Sequence, residues 1–502
     1  MAAGSAVITM PAFLSGCGVP SATRIAEPTP ENPFMEWFGV DQATVARVMA
    51  ELTARGADAA DLYFQHTRSN RLTLEDGIVS NASSGIEQGV GLRVVIGDQT
   101  GYAFTEDLTL PSMLAAARTA SAIASRERAA APRSYDPLEM GSLYRTSVPW
   151  ADVGIADKLP LLKFVESTAK AADPAIDKVS VYWGDADERV MIATLDGRLV
   201  TDYRPMTRVT VSVTATRGKQ THSNYANIAA REDISWYTRD RLTTMVNEAV
   251  DRTMILFDAR RPPAGEMPVV LAAGASGILL HEAIGHGMEA DFNRKGTSSY
   301  SDMIGKKVAE PFVNVIDQAT IPNERGALNY DDEGNEAGRT VLVRDGILQS
   351  YLHDEISARQ YGLAPTGSGR RESYRFAPMP RMSCTFMEDG PHTKDEIIAA
   401  IDHGIICETY TNGQVQIESG DYTFYVKNGW LVEGGKVTAP IKDINIIGSG
   451  PESLKRITMV ADDARLDTGG WTCGKNGQSV PVSQGIPTVL VSRMTVGGEN
   501  VG

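Results

Sequence analysis

Residues 278–287 read Ile278-Leu279-Leu280-His281-Glu282-Ala283-Ile284-Gly285-His286-Gly287. Two imidazoles and a carboxylate follow directly on an apolar run, so the segment reads as buried. Buried polar side chains need partners, and a metal ion satisfies all of them at once. The spacing dictates the local fold. Two histidines four apart share one face of a regular helix. Here they are five apart, and at 100° per residue a straight helix would point them ~140° away from each other. The segment must therefore be a distorted helix, for instance with a one-residue π-bulge. Gly285 and Gly287 flank the second histidine and make such a distortion easier.

A catalytic zinc site takes three protein ligands and a water, so a third ligand is required. Glu289 and Asp291 are near in sequence. Cys473 is distant, in Trp471-Thr472-Cys473-Gly474-Lys475-Asn476-Gly477-Gln478, a glycine-rich turn that would let a thiolate approach a metal closely. Cys473 reads equally well as a buried structural thiol. Cys384 and Cys407 lie in apolar surroundings and read as structural thiols. Two imidazoles and a thiolate suit Zn2+.

Outward from this centre, Arg260-Arg261-Pro262-Pro263-Ala264-Gly265 is the clearest domain boundary. The expected organisation is a signal and linker over 1–35, an N-terminal domain over 36–262 and a C-terminal domain over 263–502. The fold class expected is α+β: an N-terminal α/β domain with mixed sheets, then a mainly antiparallel β domain carrying the metal-site helix. Asp41 is positioned to cap a helix over 41–55, with Val45, Val48, Met49 and Leu52 on one face. Further helices are expected near 111–125, 157–172 and 233–254. Strand signals occur at 178–183, 190–194 and 208–215, and Asp76-Gly77, Asp196-Gly197 and Asp345-Gly346 read as hairpin turns.

The chain has 502 residues, 63 acidic and 48 basic, a net charge of −15. This balance excludes nucleic acid as a partner class. Four cysteines make no disulfide framework, and no apolar run reaches the ~20 residues that span a bilayer. Residues 1–23 carry no charge. Their apolar run ends in Leu14-Ser15-Gly16-Cys17, which resembles the lipobox of bacterial lipoproteins, and a Pro-rich linker follows. The expectation is export to the periplasm with a lipid anchor on Cys17 as the only membrane association. The alternative is a cytoplasmic protein with an N-terminal tail.

Several long motifs in order resemble the TldD/PmbA family of metallopeptidases, in its metal-bearing TldD-like branch. They include Asn329-Tyr330-Asp331-Asp332-Glu333-Gly334, Thr366-Gly367-Ser368-Gly369-Arg370-Arg371-Glu372-Ser373-Tyr374, Gly413-Gln414-Val415, Gly448-Ser449-Gly450-Pro451 and the segment around Cys473. The resemblance runs from about residue 41 to 500. It implies that His281, His286 and Cys473 bind zinc and that Glu282 is the general base. It also implies an enclosed dimer, either a homodimer or a heterodimer with a PmbA-like subunit, reached only by extended or unfolded peptides.

An extended peptide would add to an exposed strand edge, for which Gly413, Gln414 and the segment 448–450 are candidates. Arg370 or Arg371 would hold a substrate carboxylate, and Tyr374 an oxyanion. The competing readings are a metal-dependent amidase acting on another exported substrate and a non-proteolytic partner subunit.

Overall fold

The computed structural model describes residues 33–122, 130–138, 141, 143–144 and 146–498. Cys17, its lipobox and most of the Pro-rich linker lie outside the described residues. The first long helix, Gln42–Leu52, is capped by Asp41, whose Oδ1 accepts the Thr44 N–H at 2.7 Å. Val45, Val48, Met49 and Leu52 are all buried, as their spacing on one helical face demands.

One sheet organises the N-terminal half. Its strand order is Gln99–Thr105, Ile78–Ile96, Ala59–Glu75, Ile176–Thr194, Arg198–Arg217 and Asp136–Pro137, with Gln220–Ala230 also paired to Arg198–Arg217. Asp76 and Gly77 both have positive φ, as a two-residue hairpin turn with the right twist requires. Every long pairing is antiparallel, and only the two-residue contact of Asp136–Pro137 with Arg198–Leu199 is parallel. This corrects the expected α/β arrangement of mixed sheets. Tight turns join each of the long hairpin pairs, and parallel pairing needs crossover connections instead. The helices Leu110–Ser121 and Ile155–Ala172 fall in the one long connection, from Gln99–Thr105 to Ile176–Thr194, strands that are not neighbours in the sheet.

Side chains alternate across this sheet with period two. Leu62, Phe64, Met191 and Ala193 pack with the helices Gln42–Leu52 and Leu110–Ser121. Leu72, Leu74, Val181 and Trp183 pack with Ile155–Ala172 and Arg239–Met254. The intervening residues Tyr63, Val190, Ile192 and Val200 pack instead with Tyr330 and Tyr374 of the C-terminal half.

That second contact is largely ionic. Arg93 donates to Asp61 at 2.5 Å and to Glu333 at 2.7 Å. Arg371 donates to the other Asp61 oxygen at 2.8 Å, and Arg204 to Asp332 at 2.6 Å. All six side chains are buried. Removing one partner from such a group leaves an uncompensated buried charge. Asp61→Asn, which faces two guanidinium groups, is expected to destabilise the protein by about 3–5 kcal/mol in chemical denaturation. A variant of wild-type stability would show that water already compensates these charges.

The C-terminal half is built on two six-stranded sheets. In one, the order is Lys436–Ser449, Asp421–Glu433, His403–Gln416, Gly265–Leu271, Val489–Gly497 and Ile457–Val460. Lys436–Ser449 also pairs with Val489–Gly497 through Asn445–Ile447, so five of these strands close into a ring. The other sheet brings Val315–Gln318, Cys384–Met387 and Ser483–Ile486 together. The segment 277–288 lies between the two. Gly277 touches the backbone of Gly485 in one sheet, and the Ala283 carbonyl meets Gly450 at the end of the other. A Cβ on Gly450 would lie 1.7 Å from that carbonyl oxygen, so only glycine permits this approach.

Candidate metal centre

The segment begins as a helix at Gly277–Leu279 and then widens. Leu280–Gly285 is a π-helical turn, and the His286 N–H donates to the His281 carbonyl five residues back. Bonding from i to i+5 adds one residue per turn, so residues five apart return to one face. The two imidazoles consequently meet, with ring centroids 5.1 Å apart and planes at 82°. Gly285 contributes space rather than unusual torsion. Its φ is −61°, but a Cβ there would meet the Met382 sulfur at 2.2 Å.

The third member arrives from far along the chain. Cys473 lies on Thr472–Lys475, which forms a four-residue hairpin ladder with Gln478–Pro481. Its Sγ is 3.4 Å from His286 Nε2. One ligand atom from each of His281, His286 and Cys473 falls within 4.8 Å of the others, and all three side chains are buried. Neither ring nitrogen of His281 makes a hydrogen bond of ordinary geometry, although its ring neighbours the thiol. An orphaned imidazole beside a second imidazole and a thiol is the arrangement a soft-to-borderline divalent metal would complete.

Electrostatics favour the ligating form of the sulfur. Burial pushes the Cys473 thiol up, but His281 and His286 outweigh it and hold the pKa well below the usual thiol range. The thiolate is the form that binds metals. Burial likewise opposes charge on His286, yet Glu289 and the thiolate hold its pKa well above the usual imidazole range.

Glu289 lies behind His286 rather than beside the thiol. Its Oε2 bonds His286 Nδ1 at 2.9 Å, on the ring's far side from Cys473. Burial would raise its pKa, but Lys475, His286 and Arg381 bring it down to about 2. A carboxylate behind a histidine fixes the ring's tautomer and orientation. Asp291, the other nearby candidate, bonds Lys475 Nζ at 2.8 Å. The spacing of His286 and Glu289, three apart and thus on one helical face, is the sequence signal for this pair. Lys475 left no comparable signal.

Glu282 is the partly open member, its side chain 23 % exposed, with Oε2 3.7 Å from His286 Nε2. Both residues line a cavity of about 890 Å³ with Gly413, Gln414, Asp421 and Gly448. The strand His403–Gln416 pairs with Gly265–Leu271 only through Ile405–Cys407. Beyond Cys407 that edge has no strand beside it among the described residues.

The structure places the other expected contacts elsewhere. Arg370 donates to the carbonyls of Met382 at 2.6 Å and Pro481 at 2.7 Å, and Arg371 to Asp61 and the Asp332 carbonyl. Both guanidinium groups are buried and occupied in joining segments, which corrects the expectation that either holds a substrate carboxylate. Tyr374 is corrected likewise. It packs against Phe104 and beneath Gly89 at the contact between the two halves, with its phenol pushed up to about 12, first by burial. None of the three lines the cavity that holds Glu282.

Three family models match in order: the PmbA/TldA metallopeptidase domain 1 over residues 60–124, the central domain over 148–257 and the C-terminal domain over 264–498. A metalloprotease TldD homolog from Haemophilus influenzae is 39% identical over 476 residues, covering 93% of this chain and 99% of that protein. The chain belongs to the PmbA/TldA metallopeptidase family. As a PmbA/TldA member it also resembles a zinc metalloprotease TldD homolog from Saccharolobus solfataricus, 27% identical across 88% of this chain and 97% of that one. Two solved structures share the fold. A putative modulator of a DNA gyrase from Thermotoga maritima has a TM-score of 0.72 at 20% identity, covering 91% of this chain and 99% of that one. TldE from Thermococcus kodakarensis has a TM-score of 0.70 at 16% identity, covering 90% and 99%.

Proposed function

We propose that this metallopeptidase is a zinc enzyme that hydrolyses extended or unfolded peptides. The observation that carries the reading is the convergence of His281, His286 and Cys473 beside Glu282 on the wall of a cavity. His281, His286 and Cys473 would hold the zinc, which when bound supplies a Lewis acid and an acidified water. Glu282 is the residue placed to take a proton from the attacking water and return it to the leaving amine. It is directly after one ligand, close to the other, and open to the cavity. Glu289 keeps Nδ1 of His286 occupied, leaving Nε2 to face the thiol.

The free edge from Thr409 to Gln416 offers main-chain groups to an extended chain. Main-chain bonding of this kind is indifferent to side chains. Gly413 and Gln414 are on that edge and in the cavity. The test is mass spectrometry of an unfolded peptide library incubated with metal-stripped and zinc-reloaded protein. Cleavage at many sequences, restored by zinc, is the expected result; no cleavage of any unfolded peptide would refute the reading. Peptides N-methylated on alternate amides should be cut about tenfold more slowly or worse, one lost main-chain bond being worth ~1 kcal/mol or more. Equal rates would exclude binding along the strand edge.

The enclosed site of the family reading requires a second subunit, a further copy or a PmbA-like partner, and TldE among the solved relatives is in keeping with it. Lipid anchoring of an exported form at Cys17 is a separate proposal that rests on Leu14-Ser15-Gly16-Cys17. Mass spectrometry of membrane-fraction protein should find a diacylglyceryl group on Cys17, whereas an intact Met1 terminus would refute it.

A further inference from the structure

We propose that Lys475 is a positioning residue that locks two of the three ligand side chains, His286 and Cys473, into one geometry. The inference rests on the zinc reading above and says what holds that site together. The difficulty it answers is mechanical. Cys473 rides on a two-stranded ladder of four residues per strand, and a hairpin of that size is marginally stable by itself. A thiolate on such a hairpin would drift relative to the π-turn unless something else fixed it.

Lys475 has the connections to do so. It is two residues from Cys473 on the same strand, so both side chains leave the same face. Its ammonium, fully buried, donates to Glu289 Oε2 at 3.0 Å, to Asp291 Oδ1 at 2.8 Å and to the Pro380 carbonyl at 3.1 Å. An ammonium has three donors, and all three are used. The charge also lies 4.3 Å from the centre of the Phe292 ring. The Glu289 oxygen that accepts from Lys475 is the one that bonds His286 Nδ1.

A continuous chain of contacts thus runs from Cys473 through Gly474 to Lys475, then through Glu289 to His286, and His286 Nε2 returns to Cys473 Sγ. The loop closes on the metal position. Arg381 secures the same strand from another direction by donating to the Cys473 carbonyl at 2.5 Å. A movement of the hairpin therefore cannot carry the sulfur away without breaking the three bonds of one buried cation.

The test uses the full-length protein loaded with Co2+, whose sulfur-to-metal charge-transfer band reports the thiolate directly. Cobalt release to an excess of chelator is then timed. Lys475→Met is expected to release cobalt about 10–100-fold faster than wild type and to alter the band, as loss of a supporting partner does. Lys475→Arg keeps the charge but replaces three divergent donors with a planar fork, and should release as fast as Lys475→Met. Wild-type retention in Lys475→Arg would show that charge alone suffices and would overturn the proposal. If Lys475→Met fails to fold, Asp291→Ala removes one of the three bonds at a side chain that is 12 % exposed, and should release about tenfold faster. Wild-type release in any folded variant that removes a bond overturns the proposal alone. Absence of the band in the wild type overturns the metal reading and this inference with it.

Discussion

Glu282→Gln is expected to keep the metal of the wild type and to lose peptidase activity by a factor of about 10²–10⁴ in kcat/KM, the span typical of a general base. Each tenfold is ~1.4 kcal/mol of transition-state stabilisation. The expectation follows from position. The Glu282 carboxylate is exposed to the cavity, whereas the three ligand candidates are buried beneath it. Glutamine has nearly the same shape, so the π-turn and its hydrogen bond from His286 to His281 are undisturbed. The neutral amide accepts no proton at neutral pH. Metal analysis and kinetics on one preparation separate the possibilities. Zinc lost together with activity would make Glu282 a ligand, and retained activity would move the proton transfer to another group.

Cys473→Ser is expected to weaken zinc binding by about 100-fold or more. Four-ligand zinc sites are worth ~10–16 kcal/mol in binding free energy at neutral pH, so one ligand accounts for roughly 3 kcal/mol. A serine hydroxyl is neutral at neutral pH and harder than a thiolate. It also removes the anion that, with Glu289, holds His286 well above its usual pKa. The measurement is competition with a chelator of known affinity. Undiminished affinity in a folded Cys473→Ser protein would sink the thiolate assignment and return Glu289 and Asp291 to consideration. The backbone near the sulfur should survive the change, because Arg381 grips the Cys473 carbonyl rather than its side chain.

Local rules made much of this molecule legible. The cap at Asp41, the apolar face of Gln42–Leu52 and the Asp-Gly turns each follow from two to eight neighbouring residues. The distorted helix at His281–His286 was legible because a five-residue spacing has few geometric solutions. The long strands were not. Ile176–Thr194 runs unbroken for 19 residues, but its middle, Gly184-Asp185-Ala186-Asp187-Glu188-Arg189, has no apolar alternation. Two of its charged side chains are satisfied by others remote in sequence, and two pair with each other. Asp185 faces Lys158 and Asn70, Glu188 accepts from Gln65, and Asp187 pairs with Arg189.

The same cause misplaced Arg370, Arg371 and Tyr374. Charged and aromatic residues in a glycine-rich segment suggest a binding loop, whereas here Arg371 and Tyr374 bind the two halves of the chain to each other and Arg370 ties together segments of the C-terminal half. Sequence alone does not say whether the partner of an arginine is a ligand or a distant aspartate. Glu289 and Lys475 escaped for the opposite reason. Glu289 joins Lys475 to His286, and that grouping exists only once strand Thr472–Lys475 has reached the π-turn.

The distance along the chain between the ligands also has a bearing on synthesis. Cys473 follows His286 by 187 residues. At ~5–20 residues per second, a ribosome takes about 10–40 s to travel that far. Throughout the interval the nascent polypeptide carries both imidazoles and the glutamate but not the Cys473 thiol, and for most of it the strand edge at 413–416 has yet to be made. A peptidase of unfolded chain would find in its own emerging first half an ideal target. On the proposed reading, the order of its residues postpones completion of the site by that interval.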